Sequence, residues 1–163
     1  MYKPFIPQRM NPVRALFLPA AIALVIHACG PGTDTGEDPQ VTTLGSVEVT
    51  AQLEEIPSEL PDIPLYDYAY VFKYKVLQVH RGKVDGDTIY VGQYNPLKPR
   101  SQVADARSGR IGGNLKQFKS GDIHRMALEA PIDDYYMGGI INKYFEQNPP
   151  LIYWAVWTNR VIQ

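Results

Sequence analysis

Residues 68–94, YAYVFKYKVLQVHRGKVDGDTIYVGQY, constrain this chain more than any other stretch. Tyr68, Tyr70, Phe72, Tyr74 and Val76 fall on one face of an extended backbone and Lys73 and Lys75 on the other, the period of two of a half-buried strand. Beyond Val76 the apolar positions become Leu77 and Val79, so the inward face changes by one residue. A strand that does this carries a bulge or a strong bend, as strands do at the corners of small closed barrels. Gly82 and Gly86 then supply the positive φ angles that a hairpin turn needs, and residues 88–94 return as the partner strand.

The rest of the chain agrees with a β fold. Val47, Val49, Ala51 and Leu53 alternate with polar residues, which predicts a first strand; Pro57, Pro61 and Pro64 then make a stiff connection that cannot pair regularly. Residues 123–128 read as a strand with Met126 and Leu128 inward, and residues 151–159 are apolar on both faces, as a central strand would be. Between them, Pro131 and the acids Asp133 and Asp134 resemble a helix start, and Ile132, Tyr136, Ile140 and Tyr144 recur at a four-residue spacing. Gly138 and Gly139 interrupt that stripe at a cost of about 1 kcal/mol each. The expectation is a mainly β domain, a single small OB-like barrel or a compact sandwich, with one short, Gly-interrupted helix before the last strand.

The N-terminus reads as a targeting segment. Lys3, Arg9 and Arg14 precede an uncharged run over residues 15–26, which fits a signal-peptide core and is shorter than the ~20 residues a bilayer span needs. Translation from Met10 would leave a complete positive region of its own. The run ends in Ile26-His27-Ala28-Cys29, which resembles the bacterial lipobox, although His27 stands where a small or aliphatic residue is usual. That resemblance implies removal of residues 1–28 and acylation of Cys29, the only cysteine in the chain. Several acyl chains, at about 0.8 kcal/mol per buried methylene, would make the anchor effectively permanent. Gly30 in place of an aspartate after the cysteine resembles lipoproteins sent on to the outer membrane. The expected location is therefore the bacterial cell envelope, with the domain facing the periplasm or the exterior.

Processing changes the charge. Loss of Lys3, Arg9 and Arg14 leaves 13 basic against 17 acidic residues, a net charge of −4, which does not favour a nucleic-acid partner. With Cys29 acylated no disulfide can form and no thiol is left for catalysis or metal binding. Residues 29–42, the acylated cysteine followed by a Gly-, Pro- and acid-rich stretch, read as a solvated tether, and residues 43–163 as one β-rich globular domain.

The run VFKYKVLQVHRGKVDGDTIYV is similar to a hairpin of the small β-barrels of the tissue-inhibitor-of-metalloproteinases and netrin-like kind, and FKSGDIHRMALE matches their pattern of a Phe, a Gly and then a strand. Those families are disulfide-bonded and this chain is not, so the resemblance implies the OB type of barrel and no activity. The same hairpin, flanked by YDYAY and NPLKPR, also resembles exported proteins that accompany alginate-type polysaccharide O-acetyltransferases, which implies an accessory role near a glycan.

Candidate binding residues come from two places. The long irregular stretch over residues 98–119 holds Lys98, Arg100, Arg107, Arg110, Lys116 and Lys119 against the single acid Asp105, close to +5 on an acidic domain. The C-terminal third gathers Tyr135, Tyr136, Tyr144, Phe145, Tyr153, Trp154 and Trp157, whose faces could stack on sugars or anchor an interface. The same aromatics also suit the core of a barrel poor in leucine. Lys98, Arg100, Arg107, Arg110, Tyr135 and Tyr136 are the residues expected at a surface site.

Catalytic chemistry has less to draw on. Ser120, Asp122 and His124 lie close in sequence, but Asp122 and His124 on one strand are about 7 Å apart, too far for the acid to orient the imidazole. No Gly-x-Ser-x-Gly elbow is present, and Gly112-Gly113 lacks the lysine and the strand-to-helix setting of a phosphate cradle. Asp122, His124, His80, Asp133 and Asp134 have no metal-ligand spacing. The sequence therefore predicts no catalytic set, no metal and no cofactor. It points to a non-enzymatic envelope lipoprotein acting as a binding or accessory subunit, joined to the membrane through its lipid and to an envelope protein or polysaccharide. The alternative is a glycan-contacting accessory of exopolysaccharide O-acetylation or export.

Overall fold

The computed structural model describes residues 38–147 and 151–161. The signal segment expected over residues 1–28, the acylation expected at Cys29 and most of the tether expected over 29–42 fall outside the described residues. The elements are helix α1 (Pro39–Thr43) and strands β1 (Val47–Glu55), β2 (Tyr68–Arg81), β3 (Thr88–Tyr94), β4 (Ile123–Glu129), β5 (Gly139–Ile141) and β6 (Ile152–Arg160). Strands β1, β4, β6, β3 and β2 follow one another around a sheet that closes where β2 pairs with β1. All these pairs are antiparallel except β3 with β6, which is the connectivity of an OB-like barrel rather than a sandwich.

Period-two alternation forms the core directly. Val49, Ala51 and Leu53 of β1 face Tyr70, Phe72 and Tyr74 of β2, Val91 of β3, and Met126 and Leu128 of β4, all fully buried. The change of phase in β2 is a bulge: Thr50 pairs with Gln78 and Ala51 with Val76, which leaves Leu77 as the extra residue. Leu77 and Val79 do not turn inward after it, because β2 has there run past its pairing with β3, and both stay exposed.

A second apolar cluster lies outside the barrel. Ala69, Tyr94 and Trp154 on the outer face of β2, β3 and β6 are covered by Val103, Ile111, Ile132 and Tyr136 from the two long connections. OB barrels commonly bind ligands on the outer face of these strands. In this chain its own loops roof that area.

Two expectations need correction. The helix expected before the last strand is absent: residues 132–145 form a 3-10 turn (Ile132–Asp134) and then β5, which pairs in parallel with Tyr68–Tyr70. The cause is an open sheet edge. β1 pairs with β2 only from Lys73 onward, so the backbone of Tyr68–Tyr70 needs a partner on that side, and β5 supplies it. Gly139 packs against Tyr66, whose ring would have to shift for a Cβ there, 2.6 Å from its hydroxyl. The second correction concerns the tether. Residues 38–42 of the expected tether pack on the folded domain: Val41 is fully buried, and the Asp38 carboxylate accepts hydrogen bonds from Gln40 N (2.9 Å), Trp157 Nε1 (2.6 Å) and Asn159 Nδ2 (3.1 Å). Arg81 clamps the other end of α1 by donating to the carbonyls of Thr42, Leu44 and Gly45.

Candidate functional site

The basic stretch over residues 98–119 is divided by the fold. Its middle is tied to β6, where Gly112 N donates to Val156 O (3.0 Å) and Thr158 N to Gly112 O (2.9 Å). Ahead of that tie the chain makes a tight turn built by Asp105. One carboxylate oxygen accepts from the backbone N–H groups of Arg107 (2.8 Å) and Ser108 (2.9 Å), and the other accepts from the Tyr94 hydroxyl (2.7 Å). Burial opposes ionisation of Asp105, but these three donors and the charge of Lys98 hold its carboxyl below the usual carboxylate range. The turn is thus organised from beneath, and it projects Arg107 and Arg110 into solvent.

Arg107 and Arg110 border a depression of about 330 Å³ whose wall includes Ile111, Trp154, Glu129 and Tyr135. Trp154 lies flat on Tyr136, with centroids 4.7 Å apart and planes 11° from parallel, and Tyr94 meets both edge-on. The indole is therefore held rigidly at the site. Tyr135 is half exposed, and the neighbouring charge of Glu129 is the main reason its phenol pKa is raised. Glu129 also accepts a short hydrogen bond from Ser46 Oγ (2.5 Å). Arg107 and Arg110 form no ion pair among the described residues. The arrangement offers two cations without an ion-pair partner among the described residues, the half-exposed ring of Tyr135 and one carboxylate, over a buried floor of Trp154, a set suited to recognition.

Of the expected binding residues, the fold brings together Arg107, Arg110 and Tyr135. Tyr136 is buried and acts from below by supporting Trp154. Lys98 lies elsewhere, 3.6 Å from Asp67, beside a small depression lined by Ile63, Leu65, Tyr66 and Leu97. Arg100 is a correction. It is only 1 % exposed, donates from Nη2 to the carbonyls of Asn95 (2.7 Å) and Lys98 (3.0 Å), and packs its guanidinium over Phe118. Burial lowers its pKa to about 10. Arg100 holds the loop to the core and touches no surface ligand. The roles of Asp105 and Glu129 leave little trace in the sequence; the one local signal is an acid two residues before Arg107, the spacing of an Asx-turn.

The Ser120, Asp122 and His124 group does not assemble. His124 lies inside the barrel with Nδ1 3.1 Å from the Tyr74 hydroxyl, and burial lowers its pKa to about 4. Asp122 instead faces Arg160 at 3.6 Å. His80 is exposed and meets Thr50 Oγ1 at 2.8 Å. Among the described residues no three His, Cys, Asp or Glu side chains are grouped as metal ligands, and no helix is long and apolar enough to cross a membrane.

A broader depression of about 550 Å³ lies at the far end of the basic stretch, lined by Asn114, Leu115, Lys116, Gln117, Lys119, Asp122 and Arg160. Compared with known proteins, the chain matches no family model, no curated protein and no solved structure.

Proposed function

We propose that this chain is a non-enzymatic lipoprotein of the bacterial cell envelope, acylated at Cys29, whose barrel serves as a binding or accessory subunit. The observation that carries the binding role is the pair Arg107 and Arg110, held out by the Asp105 turn beside a fixed Trp154 with no acidic partner among the described residues. Exposed cations with no ion-pair partner among the described residues, set over a fixed aromatic floor, suit recognition better than they suit stability. The address rests on the lipobox-like ending at Cys29.

Mass spectrometry and membrane fractionation of the expressed precursor beside Cys29→Ala test the address. Diacyl or triacyl modification of the wild type, with release of the variant from membranes, is the expected result; an unmodified, soluble wild type overturns it. A second reading, contact with an envelope polysaccharide, is favoured by the exposed ring of Tyr135 next to Trp154 and by Glu129, which can accept from sugar hydroxyls. Glycan binding that is abolished by Arg107→Ala with Arg110→Ala supports it, and binding that survives both removes this mechanism.

A further inference from the structure

The chain enters the barrel between its two cation-lined depressions. Asp38 is fixed by Trp157 and by Asn159, and Asn159 Oδ1 in turn accepts from the backbone of Asn114 (2.9 Å), which lines the depression of Lys116, Lys119 and Arg160. Five residues later α1 has ended, and Leu44 and Gly45 line the depression of Arg107 and Arg110. Helix α1 therefore runs from the edge of one depression to the edge of the other. Together the two are lined by five cations and two carboxylates, on a chain that from Cys29 onward carries 13 basic against 17 acidic residues. Arg107, Arg110, Lys116 and Lys119 are exposed and form no ion pair among the described residues.

We propose that this cationic side of the barrel rests on anionic lipid headgroups of the membrane that holds the anchor. The inference depends on acylation at Cys29 and adds to it the partner of the Arg107 and Arg110 site. Two observations select a lipid surface as the occupant. The first is reach: eight residues lie between Cys29 and Asp38, and the fully extended chain from one to the other spans at most about 30 Å. A domain of this size has a radius of gyration of about 14 Å, so the tether is no longer than the domain is wide, and the side where the chain joins it stays within about 30 Å of the bilayer, free to rest on it. The second is charge. Positive groups act on an anionic surface within about a Debye length, ~8 Å at physiological ionic strength; the tether lets these cations reach that layer, and their attraction to anionic headgroups then holds them there. The opposite arrangement, with the acidic remainder of the barrel toward the membrane, is repelled.

The chain carries its own reporters, because Trp154 and Trp157, its only tryptophans, both lie on this side. The acylated full chain is reconstituted into vesicles of phosphatidylcholine alone, or of phosphatidylcholine mixed with phosphatidylglycerol, each doped with a nitroxide-headgroup lipid. Tryptophan quenching is expected to be several-fold stronger with phosphatidylglycerol. It should fall to the phosphatidylcholine level at high salt and in the chain carrying Arg107→Gln, Arg110→Gln, Lys116→Gln and Lys119→Gln, while that variant still sediments with the vesicles. Equal quenching in both vesicle types, or a variant that behaves as wild type, overturns the inference. Acylation and sedimentation without any phosphatidylglycerol response remove the lipid contact alone, whereas a chain that is neither acylated nor vesicle-bound removes the anchor as well. Tryptophan protection by polygalacturonate together with no response to phosphatidylglycerol assigns the face to a glycan and overturns the lipid assignment.

Discussion

The guanidinium carbon of Arg100 stands 5.1 Å from the ring centroid of Phe118, and both side chains are buried. A cation in that position is structural: it ties the carbonyls of Asn95 and Lys98 to the core and fills space above an aromatic ring. Arg100→Ala leaves a cavity and withdraws a donor from both carbonyls, so we expect a loss of about 2–4 kcal/mol in urea unfolding. The same substitution should leave any ligand affinity at the Arg107 and Arg110 site unchanged under conditions where the variant is folded.

His124 gives the barrel a specific response to acid. Burial is the main cause of a folded pKa of about 4, against about 6.5 in the unfolded chain. Between those values the unfolded state binds a proton that the folded state does not, so stability falls as pH drops from 6.5 towards 4 and levels off for this group below that. The difference corresponds to about 3 kcal/mol. Stability measured by urea unfolding against pH should show this slope in the wild type, and His124→Gln should flatten it. An unchanged slope in the variant would assign the acid response to carboxylates instead.

Asp38 joins α1 to β6 through two side-chain donors and caps the helix through Gln40 N. Asp38→Ala leaves the indole N–H of Trp157 without its acceptor and removes the cap, and should cost about 1–3 kcal/mol. A red shift in tryptophan emission with the barrel still folded by circular dichroism is the expected signature.

Gly113 adopts φ +135°, and a Cβ built there would stand 1.9 Å from the carbonyl oxygen of Thr158. Because the obstructing atom belongs to the backbone of β6, the loop and not a side chain would have to move. Gly113→Ala should destabilise by about 2–4 kcal/mol and release the middle of the basic stretch. Gly86→Ala is the matched control: its φ is +83° with open space around it, so only backbone strain of about 1–2 kcal/mol is expected. Thermal unfolding of the two variants side by side separates collision from strain.

The legible parts of the fold were those encoded over a few neighbouring residues. Alternation in residues 47–53 and 68–76, the glycines that turn the hairpin and the bulge at Leu77 all reflect backbone geometry and side-chain direction, which a short window contains. Residues 132–145 were misleading because a four-residue spacing of apolar groups also arises when a turn and a short strand each bury part of their surface. Ile132, Tyr136 and Tyr144 are indeed buried, but against the barrel and the second cluster, with β5 between them. At the site, Arg107 and Arg110 were evident from composition, while their setting beside Trp154 and Glu129 needed the closure of β6 against β4.

The β class of this protein, the hairpin with its bulge and a stretch rich in positive charge are all readable from neighbouring residues, because strand period, turn chemistry and charge density are local properties of a chain. Which of those charges meet water is set by the closed barrel. Arg100 and Arg107 lie seven residues apart in one loop and look alike in sequence, yet one is buried over Phe118 and the other is exposed at the rim of the depression that Trp154 helps to line. Burial and pairing depend on residues far away along the chain, and those neighbours exist only once the barrel has closed.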